Sequence, residues 1–196
     1  MQSVEEITSY LKRNLSEKRF DHTMGVAKTA KSLAERWGED SSRAFLAGLV
    51  HDCAKEVPYN EAISILEKSG YIPDLIERES PGLLHAPLGA VLAKDIFGIE
   101  DEEILDAVRY HTTGRVGMTL LEKIIYVADF AEPSRRYKEA EELRTLAEQD
   151  LDLAVLKEAD IVIKFTVDKG KAIHTRTILA RNFFLKFTKE GQINES

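Results

Sequence analysis

The 196-residue chain has a single cysteine, Cys53, so no disulfide can form within it, which suits a reducing compartment. It has only five prolines and no low-complexity linker or internal repeat, which argues for one domain with few enforced breaks. No apolar run approaches the roughly 20 residues of a membrane-spanning helix, so no membrane is expected as a partner. The opening Met-Gln-Ser-Val-Glu-Glu is acidic and lacks a signal-peptide pattern, and the expected location is cytoplasmic. Long basic blocks are missing as well. With a formal net charge of −7, no nucleic-acid footprint is offered, and a polyanionic ligand needs a local positive site in an acidic protein. Hydrophobic residues at 43% and charged residues at 31% are sufficient for a single substantial core.

What is present is helical periodicity along nearly the whole chain. Ser3-Val4-Glu5-Glu6 is a capping box opening a helix with Ile7, Leu11 and Leu15 on one side. Ser16 can cap a second helix that ends at Gly38 and carries His22 in a row with Val26, Thr29 and Leu33. Asp40 or Ser41 caps a central helix that reaches His51-Asp52. Residues 60–69 form an amphipathic helix, and residues 71–84 read as looser. His85-Ala86-Pro87 opens the next helix, with proline in its first turn. Asp101 caps a helix that His111 closes, and Thr119-Leu120-Leu121-Glu122 is a second capping box leading to Asp129. Two helices over 139–149 and 151–167 follow, the second with Ile161-Val162-Ile163 that could be partly extended. Lys169 to His174 is a connector, and Thr175 caps a last helix to about Lys189. The expected fold is all-α: one helical domain over 1–190, with a frayed tail over 191–196.

The chain is organised around Ala44 to Asp52, seven apolar or small residues ending in His51-Asp52. A buried His-Asp pair is costly unless something neutralises the carboxylate, and a divalent cation does so. Taken singly, each histidine is most simply a packed core residue. As a set, His22, His51, Asp52, His85, His111 and Asp129 each sit near the middle or end of an apolar helix, and five helices supply them. A bundle can point such residues at one interior spot. Imidazoles with carboxylates and no thiolates suit iron, manganese or zinc. Cys53 follows Asp52 directly but points about 100° away on a helix, and reads as a core thiol.

The order His, His-Asp and a distant Asp resembles the HD-domain metal-dependent phosphohydrolases. In that superfamily the matching positions, His22, His51, Asp52 and Asp129, would hold one metal. His85 and His111 look like the branch with a second metal, Asp52 then bridging the two. A closer resemblance, to the YqeK-type HD proteins, rests on Ser16 to Thr23, Gly48 to Lys55, Arg109 to Gly114, Val127 to Arg135 and His174 to Thr177. It covers the whole chain apart from the tail. It implies an HD-type bundle with a dinuclear centre, a di-iron one, and symmetrical hydrolysis of diadenosine tetraphosphate to two ADP by a metal-activated hydroxide. Spacing alone supports only a dinuclear metallohydrolase, with manganese or zinc open as occupants.

Under this reading Asp52, Lys55, His85, His111 and Asp129 carry the chemistry. Polyphosphate then needs further cations around it. Lys55 lies three residues past Asp52 and Arg19 three before His22, offsets that turn each toward its neighbour on a helix. Arg135 follows the Asp129 helix, and Arg176 sits at a helix start that favours anions. With His22, His85, His111, Thr112, Asp129 and His174 they make up the expected substrate contacts. For isolated cations a solvated surface role is the simpler explanation, and Arg136 keeps it. Competing readings are another HD phosphohydrolase, such as a nucleotidase or nucleotide phosphodiesterase, and a nucleotide-binding sensor with structural metals. ADP or GDP would bind as product or analogue, and a homodimer is left open.

Overall fold

The computed structural model describes the backbone of residues 1–193 and the side chains of 1–186. Among the described residues there is no strand, and no helix is long and apolar enough to cross a membrane. The described residues form eleven α-helices in succession: α1 Val4–Asn14, α2 Glu17–Trp37, α3 Ser41–Val50, α4 Tyr59–Lys68, α5 Leu75–Glu79, α6 His85–Asp95, α7 Glu102–Tyr110, α8 Leu120–Ala131, α9 Lys138–Ala147, α10 Leu151–Asp168 and α11 Thr175–Ile193.

Helix ends follow the capping chemistry with informative exceptions. Ser3 and Thr119 form the expected capping boxes, and Asp40 rather than Ser41 accepts the first amides of α3. Gly38 closes α2 at φ 81°, in the left-handed region. Ser16 stands at the start of α2 but turns its hydroxyl to Glu56 at 2.6 Å instead of capping. The stretch 71–84 is more ordered than its prolines suggest. Asp74 and Glu77 build a third capping box that opens α5, and a 3₁₀ turn covers Pro81–Leu83. Residues 151–168 are helical throughout, so the extended alternative for 161–163 does not hold. α11 is capped one residue earlier than expected: His174 Nδ1 accepts from Arg176 N at 3.1 Å. That helix runs through Ile193, and of the expected tail 194–196 lie outside the described residues.

The core is one contiguous cluster with α8 in its middle, where Leu121, Ile124, Ile125, Val127 and Ala128 are buried. Small residues bring α2 and α3 together: Ala27, Ala30 and Ala34 face the helix of Ala44, Ala47 and Gly48. A smaller cluster of Ala54, Ala62, Leu66, Leu84 and Leu88 seats α4 against α6. Cys53 is a buried thiol reaching Gly89 O at 3.6 Å, and burial pushes it up to about 12. It is inert as a nucleophile there.

One buried acid has no counterpart in the sequence reading. Glu158 on α10 is 4% exposed and its Oε2 has no hydrogen-bond partner. Burial, with Asp129 adding to it, raises its pKa well above the ordinary carboxylate range. A folded-state pKa above the unfolded one removes stability as pH rises from the unfolded value through the folded one. Glu158→Gln, which keeps the shape without the charge, therefore raises Tm relative to wild type at about pH 8, and the gain disappears near pH 4. Thermal melts of both proteins at the two pH values check this. A difference that does not change with pH would contradict it.

Candidate metal centre

Five places in the chain bring side chains to one interior point. α2 carries His22 in its second turn, α3 ends so that His51 and Asp52 follow it, α6 begins with His85, α7 ends at His111, and α8 carries Asp129. The three positions at helix ends matter locally. At a helix end the imidazole can turn back onto the turn that precedes it and bond a backbone carbonyl there. His51 Nδ1 meets Gly48 O, His85 Nδ1 meets Gly82 O, and His111 Nδ1 meets Val108 O, each at 2.7 Å. His22 is in mid-helix, where such carbonyls are already used, and its Nδ1 meets the Glu132 carboxylate at 3.0 Å instead.

These contacts fix the proton. A carbonyl or carboxylate oxygen can only accept, so Nδ1 donates, and in a neutral imidazole Nε2 is then a bare lone pair. Four such lone pairs face one another and two carboxylates. His85 Nε2 stands 3.1 Å from His111 Nε2 and 3.1 Å from Asp52 Oδ1. His22 Nε2 stands 3.0 Å from Asp129 Oδ1, and His51 Nε2 3.5 Å from Asp52 Oδ2. His22 Nε2, His51 Nε2 and Asp52 Oδ1 are buried without a hydrogen-bond partner. Such a convergence of acceptors calls for cations, and the donor set of imidazole and carboxylate suits a first-row divalent metal. Two overlapping groups have the spacing to hold an ion: His22, His51 and Asp129, and His51, Asp52 and His111.

Electrostatics agree with that arrangement. Burial works against the charged form of Asp52, but His51, His111 and His85, where Nε2 carries a proton in place of a cation, outweigh it and hold the carboxyl well below its ordinary range. Asp129 is likewise held down, against its burial, by His22 and His51. Burial pushes His85 down to about 4, so it stays neutral at physiological pH.

Three cations surround the acids. Arg19 Nη1 donates to Asp52 Oδ2 at 2.7 Å, Arg135 Nη2 to Asp129 Oδ1 at 3.1 Å, and Lys55 Nζ stands 3.8 Å from Asp52 Oδ1 and 3.1 Å from His85 Nε2. Each is roughly one-third exposed, so they form the rim between the buried centre and solvent.

The remaining expected contacts divide. His174 and Arg176 belong to a satellite cluster with Asp74, Glu77 and Tyr71. Because His174 Nδ1 accepts from a backbone amide, its Nε2 carries the proton and faces Asp74 Oδ2 at 3.0 Å. Asp74, Glu77 and His174 could geometrically hold an ion, but this opposite tautomer makes the imidazole a donor there. Arg176 also lies 5.7 Å over the Tyr110 ring, next to His111, which links the satellite to the main centre. Thr112 is half-buried beside His111, and Thr113 Oγ1 donates to Gly114 O.

The sequence does not single out Glu132 or Gly25. Glu132 is buried; Oε1 takes the His22 contact and a bond from Ser134 Oγ, and Oε2 accepts from Ser134 N at 2.8 Å. A Cβ at Gly25 would come within 2.6 Å of Glu132 Oε2, so the glycine makes room for the carboxylate. The only signal is Glu132's place three residues past Asp129. In Glu132→Gln one of these donors would meet an NH₂ group, loosening His22. Metal affinity should fall about 10–100-fold, measured by chelator competition on the folded protein. Wild-type affinity would show that Glu132 does not orient His22.

The HD domain family model matches residues 19–163. A protein from Bacillus subtilis named symmetrical bis(5′-nucleosyl)-tetraphosphatase is 43% identical over 92% of this chain and 97% of its own length. One of the same name from Staphylococcus aureus is 34% identical over 93% of this chain and 94% of its own. The crystal structure of a predicted HD superfamily hydrolase from Clostridium acetobutylicum, described as involved in NAD metabolism, is 47% identical and covers 95% of this chain and 98% of that one, with a TM-score of 0.92. The order of histidines and aspartates, the all-helical fold around them and these likenesses agree: the chain belongs to the HD-domain family, in the branch of the proteins named symmetrical bis(5′-nucleosyl)-tetraphosphatase.

Proposed function

We propose that this protein hydrolyses diadenosine tetraphosphate symmetrically to two ADP. The observation that carries the hydrolase reading is the convergence of four imidazole lone pairs and two carboxylates behind a rim of Arg19, Lys55 and Arg135. The substrate assignment draws its support from the named relatives.

In this reading His22, His51, Asp52 and Asp129 would hold one divalent ion, and His85 and His111 would join Asp52 in holding a second; iron is the favoured metal. Bound there, such ions neutralise phosphoryl charge and generate a nucleophile from water near neutral pH. The chain's own residues do the rest. Arg19, Lys55 and Arg135 draw the polyphosphate into an acidic protein and screen its charge. Positive charge beside them, a proton on a facing imidazole or a bound cation, keeps Asp52 and Asp129 ionised. Backbone carbonyls and Glu132 keep the imidazole rings from rotating. Water adds to one of the two inner phosphorus atoms, the anhydride to the other inner phosphorus breaks, and each half leaves as ADP. Thr112, His174 and Arg176 contact the nucleotide in this reading, in a cytoplasmic enzyme.

The test is product analysis after incubation with diadenosine tetraphosphate and added iron, manganese or zinc. ADP as sole product is expected. AMP with ATP, or no turnover with any of the three metals, would overturn the assignment.

A further inference from the structure

The centre meets solvent on the side of Asp129 and Arg135, whose side chains are 24% and 36% exposed. From Arg135 a groove of about 890 Å³ runs along α10. Pockets of this size take nucleoside-sized molecules. Phe130, Tyr137, Ile161 and Phe165 give the groove an aromatic and aliphatic lining. Phe130 and Tyr137 meet edge to face at 5.4 Å, and Phe165 is 57% exposed, unusual for a phenylalanine. Phe130 follows Asp129 in sequence and Arg135 bonds it, so the groove and the metal centre share a wall.

Arg135, which lines the inner end of the groove, has a buried Nε with no hydrogen-bond partner. The rim carries both signs, Lys157 and Lys164 beside Glu139 and Glu142, so it is no trap for phosphate. It suits the uncharged end of a nucleotide.

We propose that this groove seats one nucleoside of the dinucleotide, its base against the aromatic wall and an acceptor atom toward Arg135 Nε. The assignment rests on the tetraphosphatase reading, because a substrate with a nucleoside at each end needs two surfaces of this kind. Stacking on an aromatic side chain is sequence-tolerant and makes a large share of base binding.

The experiment compares wild type, Phe165→Ala and Phe165→Trp as metal-loaded proteins. Truncating an exposed ring leaves the core intact, which equal Tm values verify. For diadenosine tetraphosphate, Phe165→Ala should raise KM about tenfold with kcat little changed, whereas Phe165→Trp should match or improve on wild type. ADP should saturably quench the tryptophan fluorescence of Phe165→Trp and not that of wild type. A wild-type KM in Phe165→Ala overturns the groove assignment while leaving the tetraphosphatase reading standing. The groove assignment falls in the same way if the variant instead changes sedimentation, which would make the groove a contact between copies of the chain. Should wild type fail to turn over the dinucleotide, the tetraphosphatase reading falls, and the fluorescence titration still decides whether a nucleotide occupies the groove; absence of quenching overturns it.

Discussion

Replacing His111 by alanine should reduce hydrolysis of diadenosine tetraphosphate by about a thousandfold or more while the helical bundle survives. His111 Nε2 faces His85 Nε2 at 3.1 Å and Asp52 Oδ1 at 3.7 Å, so its removal strips one of the imidazoles assigned to the second ion. A bound cation stabilises the phosphoryl transition state by several kcal/mol, and about 1.4 kcal/mol corresponds to tenfold in rate. The imidazole ends α7, and its Nδ1 bonds only the carbonyl of Val108, so the helix can form without it. Metal analysis and circular dichroism accompany the kinetics. The expected outcome is one bound ion instead of two, an unchanged helical spectrum and lost turnover. Wild-type turnover would favour a one-metal hydrolase.

Gly48→Ala should lower Tm by roughly 4–10 °C, the equivalent of about 1–3 kcal/mol for overpacking a well-filled core in a chain of this size. A Cβ at this position would lie 2.8 Å from Ala27 Cα and 3.1 Å from Ala27 N, backbone atoms that cannot move aside alone. α2 and α3 would have to separate. The consequence reaches the site, because Gly48 O accepts from His51 Nδ1 and α2 carries His22. Activity should therefore fall beyond what the loss of folded protein explains, and Gly48→Val should do worse on both counts. An unchanged melting temperature would mean that the two helices are not packed as closely as this.

The fold is legible in the sequence because its helices announce their ends. Capping boxes at Ser3 and Thr119, Asp40 and Asp101 before apolar runs, and Gly38 in the left-handed conformation set most of the boundaries. α5 escapes such a reading because the prolines at 73 and 81 obscure a five-residue helix held by Asp74 and Glu77. Convergence of the six histidine and aspartate side chains can be argued from their positions near the middles and ends of apolar helices. What orients them cannot. The carbonyls of Gly48, Gly82 and Val108 carry no sequence signature, and Glu132 looks like any acid in a turn until Gly25 is seen beneath it. His174 shows the reverse limit: a histidine in a suggestive motif has its Nδ1 facing an amide, and the resulting tautomer makes it a donor. Glu158 reads as one more helix acid, and only its burial in the fold raises its pKa well above the ordinary carboxylate range.

The proposed hydrolysis rests on cations seated among His22, His51, Asp52, His85, His111 and Asp129. Crystals of protein reconstituted with iron, manganese or zinc, with data collected at the metal's absorption edge, address this directly. Two anomalous peaks about 3.5–4 Å apart, with Asp52 between them, are expected. A centre that shows no peak with any of the three metals, or an ion bound elsewhere while these side chains remain unliganded, would contradict it.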